Sequence, residues 1–158
     1  MASSTSLPDH LVRLLEWEDA HTSFDSAVAN LPERLRGQQP AGLPYSPWSL
    51  VEHLRITQHD ILDFCINPKY QELRWPDDYW PQSPVPGSGA AWENSIQQFQ
   101  RDRGGLQRLA RDPKLDLESP IPHGQGQTYL RELLLAADHT AYHVGELIVV
   151  RRLLNAWP

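Results

Sequence analysis

Two histidines four residues apart, His139 and His143, stand in a stretch that reads as helix. At that spacing both imidazoles fall on one face, one turn apart, with Cβ atoms about 5–6 Å from each other. Two neutral imidazoles so placed can grip one divalent ion, as paired histidines do in helical zinc sites. The metalloprotease version of the motif is excluded, because Thr140 occupies the position at which HExxH carries its general base. A lone HxxxH pair is more often a surface or core feature without metal, so a third donor matters. His53 supplies one. It lies beside Leu50 and Leu54 on the inner edge of another predicted helix, about 60° from the centre of the apolar stripe. A buried histidine must place its ring nitrogens on partners or stay neutral. Three histidines from two helices of a bundle leave coordination positions open, the mark of a catalytic rather than a structural metal.

The other candidate groups serve as contrasts. His59 points away from the inner stripe and is expected in solvent. His10 and His123 lie near the terminus and in a Pro/Gly-rich loop. His21 falls at the edge of the first apolar face and reads as a satisfied core histidine, with an additional ligand as the alternative. Glu146, seven residues after His139, could orient a ligand or act as a base, though a solvated or salt-bridged glutamate is the blander reading. Cys65, beside Phe64 and Ile66, is expected to be inert packing.

The elements that position these residues are punctuated by proline. Of 14 prolines, none falls in 9–31, 48–67, 87–112 or 123–157. A helix interior tolerates proline badly, so these four stretches predict four helices. The first starts near Asp9 as N-cap, with Leu14, Trp17, Phe24, Val28 and Leu31 on one face. The second opens at Ser46-Pro47, an N-cap followed by proline at the first helical position. Its expected inner stripe is Leu50, Leu54, Thr57, Ile61 and Phe64, with Glu52, Arg55, Gln58, His59 and Asp63 outward. The third spans about 90–110 and is weakened at Gly104-Gly105. The fourth spans about 129–155, with Leu130, Leu134, Ala137, Ala141, Val144 and Ile148 as its stripe. Between the second and third lies 67–89, rich in proline and aromatics, which predicts a packed cover that also walls a ligand pocket.

The whole chain sets the remaining limits. Its 158 residues predict one domain over 1–158, able to bury roughly 68–70% of its unfolded surface without staples. A net charge of −6, from 14 basic and 20 acidic side chains, argues against a non-specific nucleic-acid coat. One cysteine excludes an internal disulfide framework and any multi-cysteine zinc cluster. No uninterrupted apolar run reaches membrane-span length, and the polar 1–8 segment shows no signal peptide, so a cytoplasmic protein is expected. On the last helix Leu135, Val150 and Leu153 lie off the main stripe, and that surplus of apolar surface predicts a homodimer.

The segment Ser46-Pro47-Trp48-Ser49-Leu50-Val51-Glu52-His53-Leu54 resembles the start of the second helix in the DinB-like (DinB/YfiT) superfamily of small metalloproteins. His139-Thr140-Ala141-Tyr142-His143-Val144-Gly145-Glu146-Leu147-Ile148, followed by Arg151-Arg152, resembles that family's fourth helix. The order, spacing and chain length fit as well, over nearly all of 8–157. The resemblance implies an all-α, up-down-down-up four-helix bundle, usually dimeric. It also implies a divalent metal, zinc or nickel, held by His53, His139 and His143, with water or substrate completing the shell. Glu146 departs from the glutamine that many members carry and is read as a residue behind the ligands. Some members resemble transferases or isomerases that use a low-molecular-weight thiol. The implied function is thus a metal-dependent enzyme acting through an activated thiol or water, of S-transferase or hydrolase type. The alternative is a non-catalytic metal or small-ligand binding module with a vestigial site.

Overall fold

A computed structural model describes residues 6–16 and 20–157. The fold is all-α. Among the described residues five helices run in order: α1 (Leu7–Leu14), α2 (Phe24–Val28), α3 (Pro47–Ile66), α4 (Gly89–Ala110) and α5 (Tyr129–Leu153), with short 3-10 turns at Glu33–Leu35 and Asp77–Tyr79. The helix starts follow capping chemistry. Ser46 Oγ accepts the Ser49 amide at 3.0 Å and Pro47 opens α3 as expected. Ser88 and Thr128 cap α4 and α5 in the same way.

The first expected helix is two helices. Asp9 is not the N-cap but the third residue of a capping box, reciprocating with Ser6. Ser23 caps α2 afresh, accepting from Ser26 N. The apolar residues that share one period serve two separate cores. Leu11, Val12 and Leu15 pack with Ile61, Leu106 and Leu133, while Phe24, Val28 and Leu31 pack with Leu54, Phe99 and Leu147. Trp17 lies outside the described residues.

α3 packs against both α4 and α5. Gly104 and Gly105 lie within an unbroken α4. A Cβ on Gly105 would stand 2.6 Å from Leu62 Cδ2, so the glycine there admits α3 at close range. Gln58, expected outward, is buried and donates to the Phe99 carbonyl at 2.6 Å.

α5 is rotated about its axis relative to the expected stripe. Leu134 is exposed, whereas Leu133, Ala136, Val144, Leu147 and Val150 are buried. Val150, expected on the surplus face, belongs to the core, and Leu135 is half-buried, while Leu153 is exposed. The buried face carries Glu132, His143 and Arg151, polar residues that erase the helix's amphipathic signal. Arg151 closes one end of the fold. Its Nη1 donates to the Ala27 and Ala29 carbonyls at 2.5 and 2.9 Å, and its Nε and Nη2 donate to the Ala156 carbonyl at 3.0 and 2.8 Å. α5 has the length and mean hydropathy of a membrane span, yet its buried face is built around these polar groups and packs on α3.

Candidate metal centre

α3 and α5 bring three imidazoles to one point. His53 Nε2 lies 3.1 Å from His139 Nε2 and 3.1 Å from His143 Nε2. His53 and His143 are buried and His139 is half-buried. The rings meet edge to face, with centroids 4.5–4.9 Å apart. On α5 the two histidines fall between the residues of one apolar cluster, ending at Ala137, and those of the other, starting at Val144.

The outer nitrogens decide where the protons are. His53 Nδ1 is 2.8 Å from the Tyr79 carbonyl, which can only accept, so Nδ1 carries the proton. His143 Nδ1 is 2.7 Å from Glu146 Oε2 and donates to it when that carboxylate is ionised. Both rings then turn an Nε2 lone pair inward. Burial holds all three histidines below the ordinary imidazole range: His139 down to about 3, with His143 and His53 adding repulsion, and His143 down to about 4, with His53 adding to it. For His53 burial again dominates, opposed by the Tyr79 carbonyl and Glu146. Burial also raises the Glu146 carboxyl, against the Tyr142 hydroxyl and His53.

Three neutral rings cannot satisfy one another here. If His139 donates its Nε2 proton to His53, the His53 and His143 lone pairs still face each other at 3.1 Å. A cation among them removes the conflict. Imidazole nitrogens on a tetrahedral ion at about 2.0–2.1 Å stand about 3.3–3.4 Å apart, and those on an octahedral edge about 3.0 Å. The 3.1 Å spacing lies between the two. Outward N–H donation to a carbonyl and a carboxylate is the arrangement that orients metal-bound histidines. The donor set therefore fits a divalent ion.

The connection 67–89 builds one side of the site. Trp80 stacks flat on His53, with centroids 3.9 Å apart and planes 1° from parallel, and Tyr45 stacks on Trp80 in turn. Asp60 on α3 ties the connection down. Its Oδ1 accepts the Tyr70 hydroxyl and its Oδ2 the Tyr79 hydroxyl, each at 2.8 Å. Burial raises the Asp60 carboxyl and the two hydroxyls pull it back. Thus Asp60 fixes Tyr79, whose carbonyl fixes His53. A cleft of about 680 Å³ opens over the three histidines, walled by Trp75, Tyr79, Trp80, Leu135 and Tyr142. Across Tyr79 and Leu135 lies a smaller cleft of about 390 Å³, lined by Asp60, Glu72, Arg131 and Glu132.

The remaining candidates stay apart from the cluster. His21 is exposed between α1 and α2, with Nδ1 2.9 Å from the Thr22 carbonyl, so it is neither a core histidine nor near the other three. His59 is exposed and pairs with Asp102 at 3.1 Å. His10 is exposed, and His123 contacts the Phe64 carbonyl. Cys65 is buried, and burial pushes its thiol up to about 12, which leaves it unreactive at neutral pH. The Tyr79 carbonyl and Asp60 were not read from the sequence. A main-chain acceptor 26 residues from His53 has no residue-type signature, and Asp60 is one acid among many on a polar helix face.

The family model of the DinB superfamily matches residues 16–147, a span that contains all three histidines. The chain belongs to the DinB superfamily. Neither a curated protein nor a solved structure matches it. In this DinB-superfamily chain, three neighbouring histidines could hold a metal ion.

Proposed function

We propose that His53, His139 and His143 bind one divalent metal ion, zinc or nickel, and that the protein is a metal-dependent enzyme of S-transferase or hydrolase type. The observation that carries this reading is the pair of inward lone pairs on His53 and His143, each fixed from outside by Tyr79 or Glu146. In such a donor set a divalent ion supplies a lowered pKa for a thiol or water that shares its shell. The chain's own residues do the rest. The Tyr79 carbonyl and the Glu146 carboxylate keep the Nδ1 protons of His53 and His143 outward. Trp80 covers one face of His53 and shields it from water. The cleft admits a small molecule, a low-molecular-weight thiol in the first instance, from the side opposite the bundle core.

Metal content of protein purified without a histidine tag tests the first half. One equivalent is expected in the wild type, with marked loss in His53→Ala, His139→Ala and His143→Ala and none in His59→Ala. Retention in His53→Ala with loss in His59→Ala would overturn the ligand set. Turnover across a panel of thiols and electrophiles tests the second half. Bound metal with no turnover would leave a binding module. The homodimer is proposed through the C-terminal part of the outer face of α5, where Val149 and Leu153 are exposed. Sedimentation at micromolar concentration should give twice 18.1 kDa, and a monomer mass would reject it.

A further inference from the structure

The cleft over the histidines carries two exposed aromatics that packing does not explain. Trp75 is 72% exposed and Tyr142 65% exposed, although each has a large apolar face. Both line the cleft, together with Trp80 and Leu135. Trp75 leans on Tyr79 at 5.4 Å between centroids, and Tyr142 meets the His143 ring edge-on at 4.8 Å, so each ring is held at the rim. Two exposed rings lining one cleft are contact surface for a flat apolar body.

Charge narrows the class of that body. Among the described residues lining this cleft there is no lysine and no arginine, and the one acid is Asp138 at its exposed rim. Away from the metal, a carboxylate or phosphate on the body of a ligand would find no cationic side chain to pair with, and Asp138 would oppose it. The neighbouring cleft is built differently: Arg131 and Glu132 pair at 2.6 Å among Asp60 and Glu72. An ionic group would have side-chain partners there and none over the histidines. Organic cations are disfavoured next to a bound divalent ion by direct repulsion.

We infer that the histidine cleft takes an uncharged aromatic or flat apolar molecule, presented to the metal through a single donor atom and resting against Trp75 and Tyr142. This rests on the metal reading above and names the class of molecule that the site accepts.

Three thiols separate the classes: benzyl mercaptan with a neutral aromatic body, 3-mercaptopropionate with an anionic one, and cysteamine with a cationic one. Cobalt uptake is measured first, and each thiol is then titrated against the sulfur charge-transfer band of the cobalt-loaded protein. Benzyl mercaptan should bind about tenfold more tightly than either charged thiol. Trp75→Ala should lose most of that preference while leaving the two charged thiols within about twofold of wild type. Tyr142→Ala, compared at cobalt saturation because the Tyr142 hydroxyl also bonds Glu146, gives a second reading, and both side chains are exposed enough that folding is not at stake. Equal or tighter binding of a charged thiol, or a preference untouched by both variants, overturns the inference while the metal site stands. A wild type that takes up no cobalt overturns the metal reading and this one together.

Discussion

α5 buries polar groups at two places, and they are opposites. At its C-terminal end Arg151 has Nε, Nη1 and Nη2 all on carbonyls, from Ala27, Ala29 and Ala156. Two turns earlier His143 turns a lone pair toward another lone pair. Burial penalises both places, since a polar group loses water on folding. Arg151 recovers that loss from the protein itself. The histidines recover it only from something the chain does not contain. The contrast separates a polar group that holds a fold together from one kept ready for a ligand: the first is saturated and the second is conflicted.

The comparison breaks first at Arg151. Arg151→Met leaves three carbonyls without their donor and should cost about 3–5 kcal/mol in urea unfolding of metal-free protein. A loss below about 1 kcal/mol would mean that the network is not saturated in the way its distances indicate. His143→Leu, which removes one of the two facing lone pairs, should behave in the opposite manner. Without metal it relieves a conflict, so its unfolding free energy should match or exceed the wild type. With zinc at about 100 times its dissociation constant, the wild type should gain about 2.7 kcal/mol and the variant far less. A variant that loses stability without metal would place the histidines in the structural class with Arg151.

Acid sharpens the same contrast. An unfolded histidine takes a proton near pH 6.5, while folded His139 and His143 refuse one until about 3 and about 4. Between these limits the unfolded chain binds more protons. Stability of metal-free protein is therefore full above about pH 6.5 and falls as pH drops toward 4, by up to about 1.4 kcal/mol per unit for each histidine. The double variant His139→Leu/His143→Leu should flatten that slope, whereas Arg151→Met should shift the curve down without changing it. The smallest effect is at Glu146. Glu146→Ala should weaken metal binding about tenfold in chelator competition, and Glu146→Gln, which keeps an acceptor for the His143 Nδ1 proton, should stay near wild type. Equal losses would make charge rather than orientation the role of this side chain.

Helix ends were the most legible part of the sequence, because capping is local. Ser46-Pro47 starts α3, and the prolines delimit α3, α4 and α5. The approach of His53 to the His139/His143 pair was also readable, since helical spacing and an inner edge are one-dimensional properties. What failed has a common cause. Gln58, Glu132 and Arg151 are polar and buried, and only their tertiary partners make that tolerable, so hydropathy alone turned α5 the wrong way and set Gln58 outward. The break between α1 and α2 was hidden because residues facing two different cores happen to keep one period. The Tyr79 carbonyl was invisible because every residue has one.

The tie between Asp60 and residues 70–80 of the connection has a consequence for how the site can vary. The same stretch supplies the acceptor for His53, the ring stacked on it and the rim residue Trp75. A change of length or sequence there would alter ligand orientation and cleft shape in one step, while α3, α4 and α5 keep their packing. The helices that carry the three histidines and the surface segment that shapes one wall of the cleft over them are thus separable parts of the chain.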